Sequence, residues 1–260
     1  MGFFSYDPVP DTSSYFLEQF SFPHVVAIGV LLALVCCVIG FRRRLVAWKG
    51  ERTLRMSVMA FAILCELSLH IFIGVQRGWI EFVTNTIPLD LCAISFWLSV
   101  TANITESRSV YDILYFWGWG AAASILFADT HGANWNTWHF YQYFVSHGFT
   151  LLTMTWFAAV RGYRPTIRSL LLAVAILFPL SIGIRLLDVS FQTEPWKFNY
   201  SFLFEPPNVG TPIAAFGTGW GYYWKFAGLV VAILAIVWLP WGTATAVRAY
   251  SRQGKSEKTT

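Results

Sequence analysis

Apolar residues in this chain occur in runs long enough to cross a lipid bilayer. A hydrocarbon core about 30 Å thick requires about 20 residues of apolar helix, and the runs lack the strict alternation that a membrane β-barrel needs. Only 12% of the 260 residues are charged, which is about half the share of an average soluble domain. The sequence therefore predicts an all-α, polytopic membrane protein and excludes a disordered chain, a disulfide scaffold and most soluble enzymes.

Seven segments are predicted to form transmembrane helices. No internal repeat, low-complexity stretch or linker divides the chain. We therefore expect a single seven-helix transmembrane domain over residues 1–242 and a basic cytoplasmic tail over residues 243–260. The predicted spans are His24–Phe41, Met56–Val75, Ile87–Asn103, Asp112–Ala128, Phe140–Val160, Arg168–Leu187 and Tyr222–Trp241.

Lys and Arg residues fall almost entirely on one side of the predicted spans. Fourteen lie in or beside the first, third and fifth connections and in the tail, whereas only Arg77 and Lys197 lie in the opposite connections. Because positive residues accumulate on the cytoplasmic side of membrane proteins, the N-terminus is predicted outside and the C-terminus in the cytoplasm of a multi-pass protein of the cell membrane. The net charge of +4 then belongs to the cytoplasmic rim, and no nucleic-acid partner is expected.

None of the four cysteines lies in a predicted outer loop, where an oxidising compartment would permit a disulfide. Their spacing matches no zinc ligand set, so neither a metal nor a cofactor is expected. Packing is the simplest role for Cys36, Cys37 and Cys65.

Polar residues collect in the predicted outer half of the spans. An ionisable group inside the bilayer is costly unless it is paired or hydrated, and it is therefore a functional candidate. The predicted topology places Cys92, His70 and His147 on the order of 5–12 Å below the outer boundary. We expect a polar cavity that opens towards the outer leaflet. The other residues at or near this level are His24, Glu66, Asp90, Asp129, His131, His139, Tyr143, Arg185 and Asp188.

Simpler structural roles are also open to these residues. Asp90 follows Pro88 at a predicted helix start, where a carboxylate complements the helix dipole. Glu66 and His70 lie one turn apart on one helix face and could form an interhelical pair. His139 could anchor its helix at the membrane interface.

Several strings of residues point to a known family. Residues 87–95 read Ile-Pro-Leu-Asp-Leu-Cys-Ala-Ile-Ser, and the strings at 115–118, 140–148 and 199–203 follow in order. Together they resemble the YwaF-like family of bacterial integral membrane proteins, whose signature is Pro-Leu-His-Leu-Cys-x-Ile-Ser. Two departures accompany the resemblance. Asp90 stands where that family usually has His, and residues 219–222 read Gly-Trp-Gly-Tyr in place of Gly-Pro-Trp-Pro.

The YwaF-like family is distantly similar to eukaryotic transmembrane acyltransferases that move a fatty acyl chain between phospholipids. The resemblance implies that Cys92 is a nucleophile that forms a thioester and that His147 is its base. It also implies phospholipid or lyso-lipid substrates and membrane lipids as partners. Water as the final acceptor would make the protein a lipid hydrolase.

Thiol–imidazole chemistry also needs groups that orient the imidazole and stabilise an oxyanion. A carboxylate, Glu66 or Asp90, is expected to orient the imidazole, and Asn199, Tyr143 or backbone amides of the third span are candidate oxyanion donors. The predicted supporting residues are Glu66, His70, Asp90, His139 and Tyr143, and the predicted substrate-binding residues are His24, Arg185, Asn199 and Tyr200.

Two functions of other classes remain open. A transporter or proton-coupled carrier would also carry Glu, Asp and His inside its spans, although no charged residue beyond Glu66 continues a polar path to the cytoplasm. A non-catalytic lipid-binding protein would use the same residues to hold its helices together. Removal of the Cys92 thiol separates these functions, because only acyl transfer requires it.

Overall fold

The computed structural model describes most of the chain but omits short segments near the N-terminus, in three connections and at the C-terminus. Asp129 and His131, which the sequence places at the outer polar level, and Lys197, which it places in an outer connection, lie outside the described residues. The described residues are 2–5, 13, 16–128, 130, 132–192, 198–206 and 212–256, with the backbone alone for 85 and 246–256.

Helices make up the fold, and no β-strand occurs among the described residues. The all-α prediction is therefore confirmed. Two short 3₁₀ turns, Tyr200–Phe202 and Pro212–Phe216, lie between the last two α-helices. The α-helices are α1 (Phe22–Gly40), α2 (Arg42–Ala47), α3 (Glu51–Gln76), α4 (Gly78–Thr86), α5 (Leu91–Thr105), α6 (Arg108–Trp117), α7 (Trp119–Leu126), α8 (Trp138–Ala159), α9 (Ile167–Ser190) and α10 (Gly219–Ser256).

The α8 helix lies at the centre of the bundle, in contact with α1, α3, α5 and α7. It runs antiparallel to α3, because Ser146 near the middle of α8 bonds to Glu66, whereas Trp156 near its end bonds to Glu51 at the start of α3. Twelve of the 22 residues of α8 are buried. A helix enclosed in this way is shielded from lipid by its neighbours, and it can carry polar side chains that a lipid-facing helix could not.

Four helices among the described residues are long and apolar enough to cross a membrane: α1, α3, α9 and the Gly219–Thr245 part of α10. They correspond to the first, second, sixth and seventh predicted spans. The apolar α5 has only 15 residues, a length of about 22 Å. The enclosed α8 has sufficient length but a more polar sequence. The structure thus supports a membrane protein with at least these four candidate spans.

The fourth predicted span, Asp112–Ala128, is divided into two helices, which corrects the expectation of one continuous helix. The break falls at Gly118, between the end of α6 and the start of α7. A Cβ atom at this position would lie 2.2 Å from Met154 Sδ and 3.2 Å from Thr150 Cγ2. Gly118 therefore allows the chain to approach α8 more closely than any other residue could.

The last helix extends beyond the predicted domain boundary at residue 242. It continues from Gly219 to Ser256 through Pro240, and its 38 residues are about 57 Å long. This length exceeds the roughly 30 Å of a hydrocarbon core. Residues 243–256, which the sequence assigned to a separate tail, continue the same helix.

Buried charges are paired where α3 begins and α8 ends. Arg55 is only 4% exposed and donates hydrogen bonds to Glu106 and to the backbone carbonyl of Asn103. Arg161 donates to Glu51 at 2.8 Å and to Glu106 at 3.1 Å. These two Arg and two Glu residues, which we call the ionic cluster, join α3 to the ends of α5 and α8.

Candidate functional site

Cys92 is the second residue of α5, and its side chain is partly buried. The N–H groups in the first turn of a helix have no partner within the helix. At α5 the Leu91 N–H donates to Ser201 Oγ at 2.8 Å, and the N–H groups of Cys92 and Ala93 belong to the same first turn. The thiol therefore lies at the positive end of a helix dipole, next to backbone donors.

Ser201, in the segment after α9, caps the start of α5. Its N–H donates to Asp90 Oδ1 at 2.6 Å, and its hydroxyl donates to the Leu89 carbonyl at 3.0 Å. Ser201 and Phe202 have φ angles of 54° and 53°, in the left-handed region that residues other than glycine rarely adopt. The bonds to the start of α5 stabilise this unusual conformation, and in return they fix the residues that precede Cys92.

Asn199 shapes the same segment through bonds to its own neighbours. Its side-chain oxygen accepts the N–H groups of Phe204 at 3.0 Å and Glu205 at 3.1 Å, while its amide donates to the Glu205 carbonyl at 3.0 Å. The polar atoms of this predicted substrate-binding residue are therefore engaged in closing the loop.

Tyr200 ties the segment to α4. Its hydroxyl donates to the Val83 carbonyl at 2.7 Å. Burial raises the pKa of the Tyr200 hydroxyl well above its usual range, and the nearby carboxylates of Asp90 and Asp188 raise this pKa further. The hydroxyl is consequently a neutral donor throughout the physiological pH range.

His147 lies on the buried helix α8, one turn after Tyr143. Its Nδ1 is 2.8 Å from the Tyr143 carbonyl oxygen, and a carbonyl can only accept, so Nδ1 carries the proton. In the neutral imidazole the lone pair is then on Nε2. The Tyr143 ring packs against the imidazole with 4.1 Å between ring centroids, and the Tyr143 hydroxyl donates to the Ser124 carbonyl at 2.8 Å. The backbone and this aromatic ring thus fix both the tautomer and the ring orientation.

Glu66 connects α3 to α8 in the interior of the bundle. It is 7% exposed, and its Oε2 accepts hydrogen bonds from Ser146 Oγ at 2.6 Å and Gln142 Nε2 at 2.9 Å. The helix that carries Glu66, α3, also packs against α5, which carries Cys92. Glu66 therefore lies on a helix that contacts both the helix of the thiol and the helix of the imidazole.

Arg185 and Asp188 form a second polar group near the end of α9. Arg185 donates to the Leu203 carbonyl at 2.7 Å and lies 5.0 Å and 5.3 Å from the ring centroids of Phe204 and Trp220. Asp188 Oδ1 accepts the N–H of Tyr200 at 3.2 Å. Arg185 Nε and Asp188 Oδ2 are buried without a hydrogen-bond partner among the described residues. Among the buried side-chain atoms that lack a partner in the described residues, these two lie nearest in sequence to residues 199–203, the segment that caps α5.

A family model described as the TMEM164 family matches residues 19–239. The match covers most of the chain and includes every residue of the site described above. The chain belongs to the TMEM164 family. Membership in this family, together with the apolar helices, identifies a membrane protein. No curated protein and no solved structure matches the chain.

His24 connects two helices in this TMEM164 family chain. It is fully buried, its Nδ1 accepts the Phe20 N–H at 2.9 Å, and its Nε2 donates to the Ile125 carbonyl at 2.8 Å. Both ring nitrogens are therefore occupied by backbone partners that join the start of α1 to the end of α7. The predicted role of His24 in substrate binding stays a prediction.

The remaining predicted histidines pack against aromatic rings. His70 meets Phe82 of α4 edge to face at 6.5 Å between ring centroids, and His139 meets Tyr143 in the same way at 6.5 Å. His139 is buried at the start of α8. In this TMEM164 family chain His139 and His147 thus share the Tyr143 ring as a neighbour, whereas His70 lies against α4.

Two polar residues of the site, Gln142 and Ser146, were not predicted from the sequence. Their spacing of four residues on α8 places both on the face that meets Glu66, and they bond to each other at 3.1 Å. The sequence signal for both residues was this spacing of four, directly before His147.

No group of three or more His, Cys, Asp or Glu residues within the described part of the chain is arranged to hold a metal ion.

Proposed function

We propose that this chain moves fatty acyl chains between phospholipids through a thioester on Cys92, with His147 as the base. The observation that carries the proposal is the mutual packing of α5, α8 and α3, the helices that carry Cys92, His147 and the buried carboxylate of Glu66. The resemblance to YwaF-like proteins, and through them to eukaryotic transmembrane acyltransferases, supports the same pair.

The first half-reaction transfers the acyl group to the protein. His147 Nε2 accepts the proton of the Cys92 thiol, and the thiolate attacks the ester carbonyl of a donor phospholipid. The tetrahedral oxyanion is stabilised by the N–H groups of Cys92 and Ala93 in the first turn of α5. The intermediate collapses to the thioester, and the leaving lyso-lipid oxygen takes the proton from His147.

The second half-reaction restores the thiol. His147 Nε2 accepts a proton from the hydroxyl of an acceptor lyso-lipid, whose oxygen attacks the thioester carbonyl. The Cys92 thiolate leaves and regains its proton from His147. Water in place of the lyso-lipid hydroxyl would yield a free fatty acid and make the protein a lipid hydrolase.

The polar group at the end of α9 completes the proposed site. Arg185 carries a buried guanidinium with an unsatisfied Nε, which suits the phosphate of a phospholipid. Tyr200 and Asn199 hold the segment that connects Arg185 to the start of α5. We further propose His70, Asp90, His139 and Tyr143 as residues that support the Cys92–His147 pair.

The proposal includes a membrane arrangement. Seven crossings in the cell membrane place the N-terminus outside and the C-terminus in the cytoplasm, with α6 and α7 together as the fourth crossing. The transmembrane domain then covers residues 1–242, and the basic residues 243–260 lie on the cytoplasmic side. The asymmetry of Lys and Arg supports this orientation, and an ester linkage just below the headgroups would meet Cys92 at the depth given above.

Intact mass spectrometry of the full chain in phospholipid vesicles tests the acyl intermediate. We expect a hydroxylamine-sensitive acyl adduct on the protein, absent from Cys92→Ala and present in the matched control Cys65→Ala, which removes a buried thiol from α3. His147→Asn keeps a donor for the Tyr143 carbonyl but lacks the base, so adduct formation should slow by about 10²–10⁴-fold. An adduct that persists in Cys92→Ala, or a folded protein that never forms one, would refute the proposal in favour of transport or lipid binding.

A further inference from the structure

A shallow hollow lies on the first turns of α3, at the end of the helix away from Glu66. Its volume is about 560 Å³. Cationic and hydroxyl side chains line it together with two apolar ones, so it combines donors for an anion with contacts for hydrocarbon. The lining residues are Lys49, Arg52, Thr53, Met56, Ser57 and Ala60.

The positive charge of the hollow is not neutralised by any carboxylate among the described residues. Glu51, the nearest carboxylate in sequence, is turned into the ionic cluster, where it pairs with Arg55 and Arg161. Lys49 and Arg52 are exposed and form no ion pair with any carboxylate of the described residues. The hollow therefore presents two free cations at the surface.

An apolar stripe continues from the hollow along the same face of α3. Leu64, Leu67 and Ile71 follow Ala60 at spacings of four, seven and eleven residues, which keeps them on one side of the helix. They are 66%, 41% and 62% exposed. The distance from Ala60 to Ile71 is about 16 Å, close to the roughly 15 Å depth of one leaflet.

We propose that this face of α3 is a binding site for an anionic phospholipid, separate from the proposed catalytic site. The phosphate lies in the hollow between Lys49 and Arg52, with Thr53 and Ser57 as hydroxyl donors. An acyl chain lies along the stripe. The cationic hollow is complementary in charge to a phosphate. Because the hollow continues into an apolar stripe as long as one leaflet is deep, the site favours a lipid over a soluble anion.

The site would lie in the leaflet where anionic lipids are enriched. Under the proposed orientation the start of α3 is cytoplasmic, and anionic lipids of that leaflet attract basic residues next to membrane helices. The chemistry of the hollow does not depend on Cys92, so the lipid site and the acyl-transfer proposal can fail independently of each other.

Native mass spectrometry of the full chain, titrated with phosphatidylglycerol and with phosphatidylcholine of the same acyl chains, tests the site. We expect tighter binding of phosphatidylglycerol, weakened by roughly tenfold or more in the double variant Lys49→Gln/Arg52→Gln. The matched control Arg43→Gln/Arg44→Gln removes the same charge from α2, outside the hollow, and should retain binding.

A second variant tests the shape of the hollow without a change of charge. Ala60→Trp places a large ring in the hollow at an exposed position, so the protein should fold while lipid binding falls as in the double variant. An equal loss in the α2 control, or equal affinity for both lipids, would overturn the proposal in favour of diffuse surface charge. Displacement of phosphatidylglycerol by an equimolar amount of inorganic phosphate would overturn it in favour of a soluble anion.

Discussion

The carboxylate of Asp90 accepts the backbone N–H of Ser201 at 2.6 Å, and this bond joins the start of α5 to the segment that follows α9. Asp90 stands where YwaF-like proteins usually have His, and here it supplies an oxygen acceptor. Because Cys92 follows two residues later, the bond fixes the first turn of the helix that carries the proposed nucleophile.

Substitutions at position 90 should separate the acceptor from the charge. Asp90→Asn keeps a side-chain oxygen that can accept the Ser201 N–H, so it should have little effect on stability. Asp90→Ala leaves that partly buried N–H without its partner and should lower the free energy of unfolding by about 1–3 kcal/mol. Chemical unfolding in detergent measures both values. Equal losses in the two variants would show that the charge of Asp90, and not its oxygen, matters.

The buried carboxylate of Glu66 gives a second test. Glu66→Gln keeps an oxygen for the Ser146 hydroxyl or the Gln142 amide, whereas Glu66→Leu removes the acceptor that the two donors share. Because Gln142 can still donate to Ser146, it is chiefly the Ser146 hydroxyl that loses its acceptor, and we expect Glu66→Leu to destabilise the protein by about 1–3 kcal/mol and Glu66→Gln to destabilise it less. If both variants unfold at the same denaturant concentration as the wild-type chain, the bonds between α3 and α8 contribute nothing to stability.

The sequence predicts the parts of this fold that depend on contact with lipid. The four helices that face outward, α1, α3, α9 and α10, are apolar enough to be recognised from composition alone. The enclosed position of α8 and the division between α6 and α7 depend instead on packing against neighbouring helices. Gly118 illustrates the limit, because its close approach to Met154 and Thr150 depends on side chains more than thirty residues away in sequence.

The candidate site was predictable in part for the same reason. Cys92, His147 and Glu66 are polar residues in apolar surroundings, and the cost of such groups made them candidates, whereas the roles of Cys92 and His147 were predicted only from the resemblance to YwaF-like proteins. The bonds of Ser201 to Asp90 and Leu89 span more than one hundred residues. No local pattern in the sequence can indicate pairs at that separation.

Gly118 should be among the least replaceable glycines of the chain. A Cβ there would lie 2.2 Å from Met154 Sδ, closer than real contacts allow, and 3.2 Å from Thr150 Cγ2, which is unusually tight, so Gly118→Ala requires the Met154 side chain or the two helices to shift. We expect a loss of about 1–3 kcal/mol in unfolding free energy. Gly29→Ala is the matched control, since nothing lies within 4 Å of its added Cβ, and it should be neutral or stabilising. Equal melting temperatures for the two variants would contradict the close approach.

The ionic cluster should contribute more to stability than the ion pairs at the surface. Arg55 is 4% exposed, and Arg55→Met leaves Glu106 and Glu51 with Arg161 as their remaining cation. We expect the free energy of unfolding to fall by about 3 kcal/mol, at the lower end for a buried pair that loses one partner, because Arg161 still bonds to both carboxylates.

Arg108→Gln is the control for Arg55→Met. Arg108 pairs with Asp112 at 3.4 Å in an exposed position, where an ion pair contributes at most about 1 kcal/mol. Unfolding of both variants in detergent gives the comparison, and a larger loss for Arg108→Gln would show that the buried pairs merely offset their own desolvation.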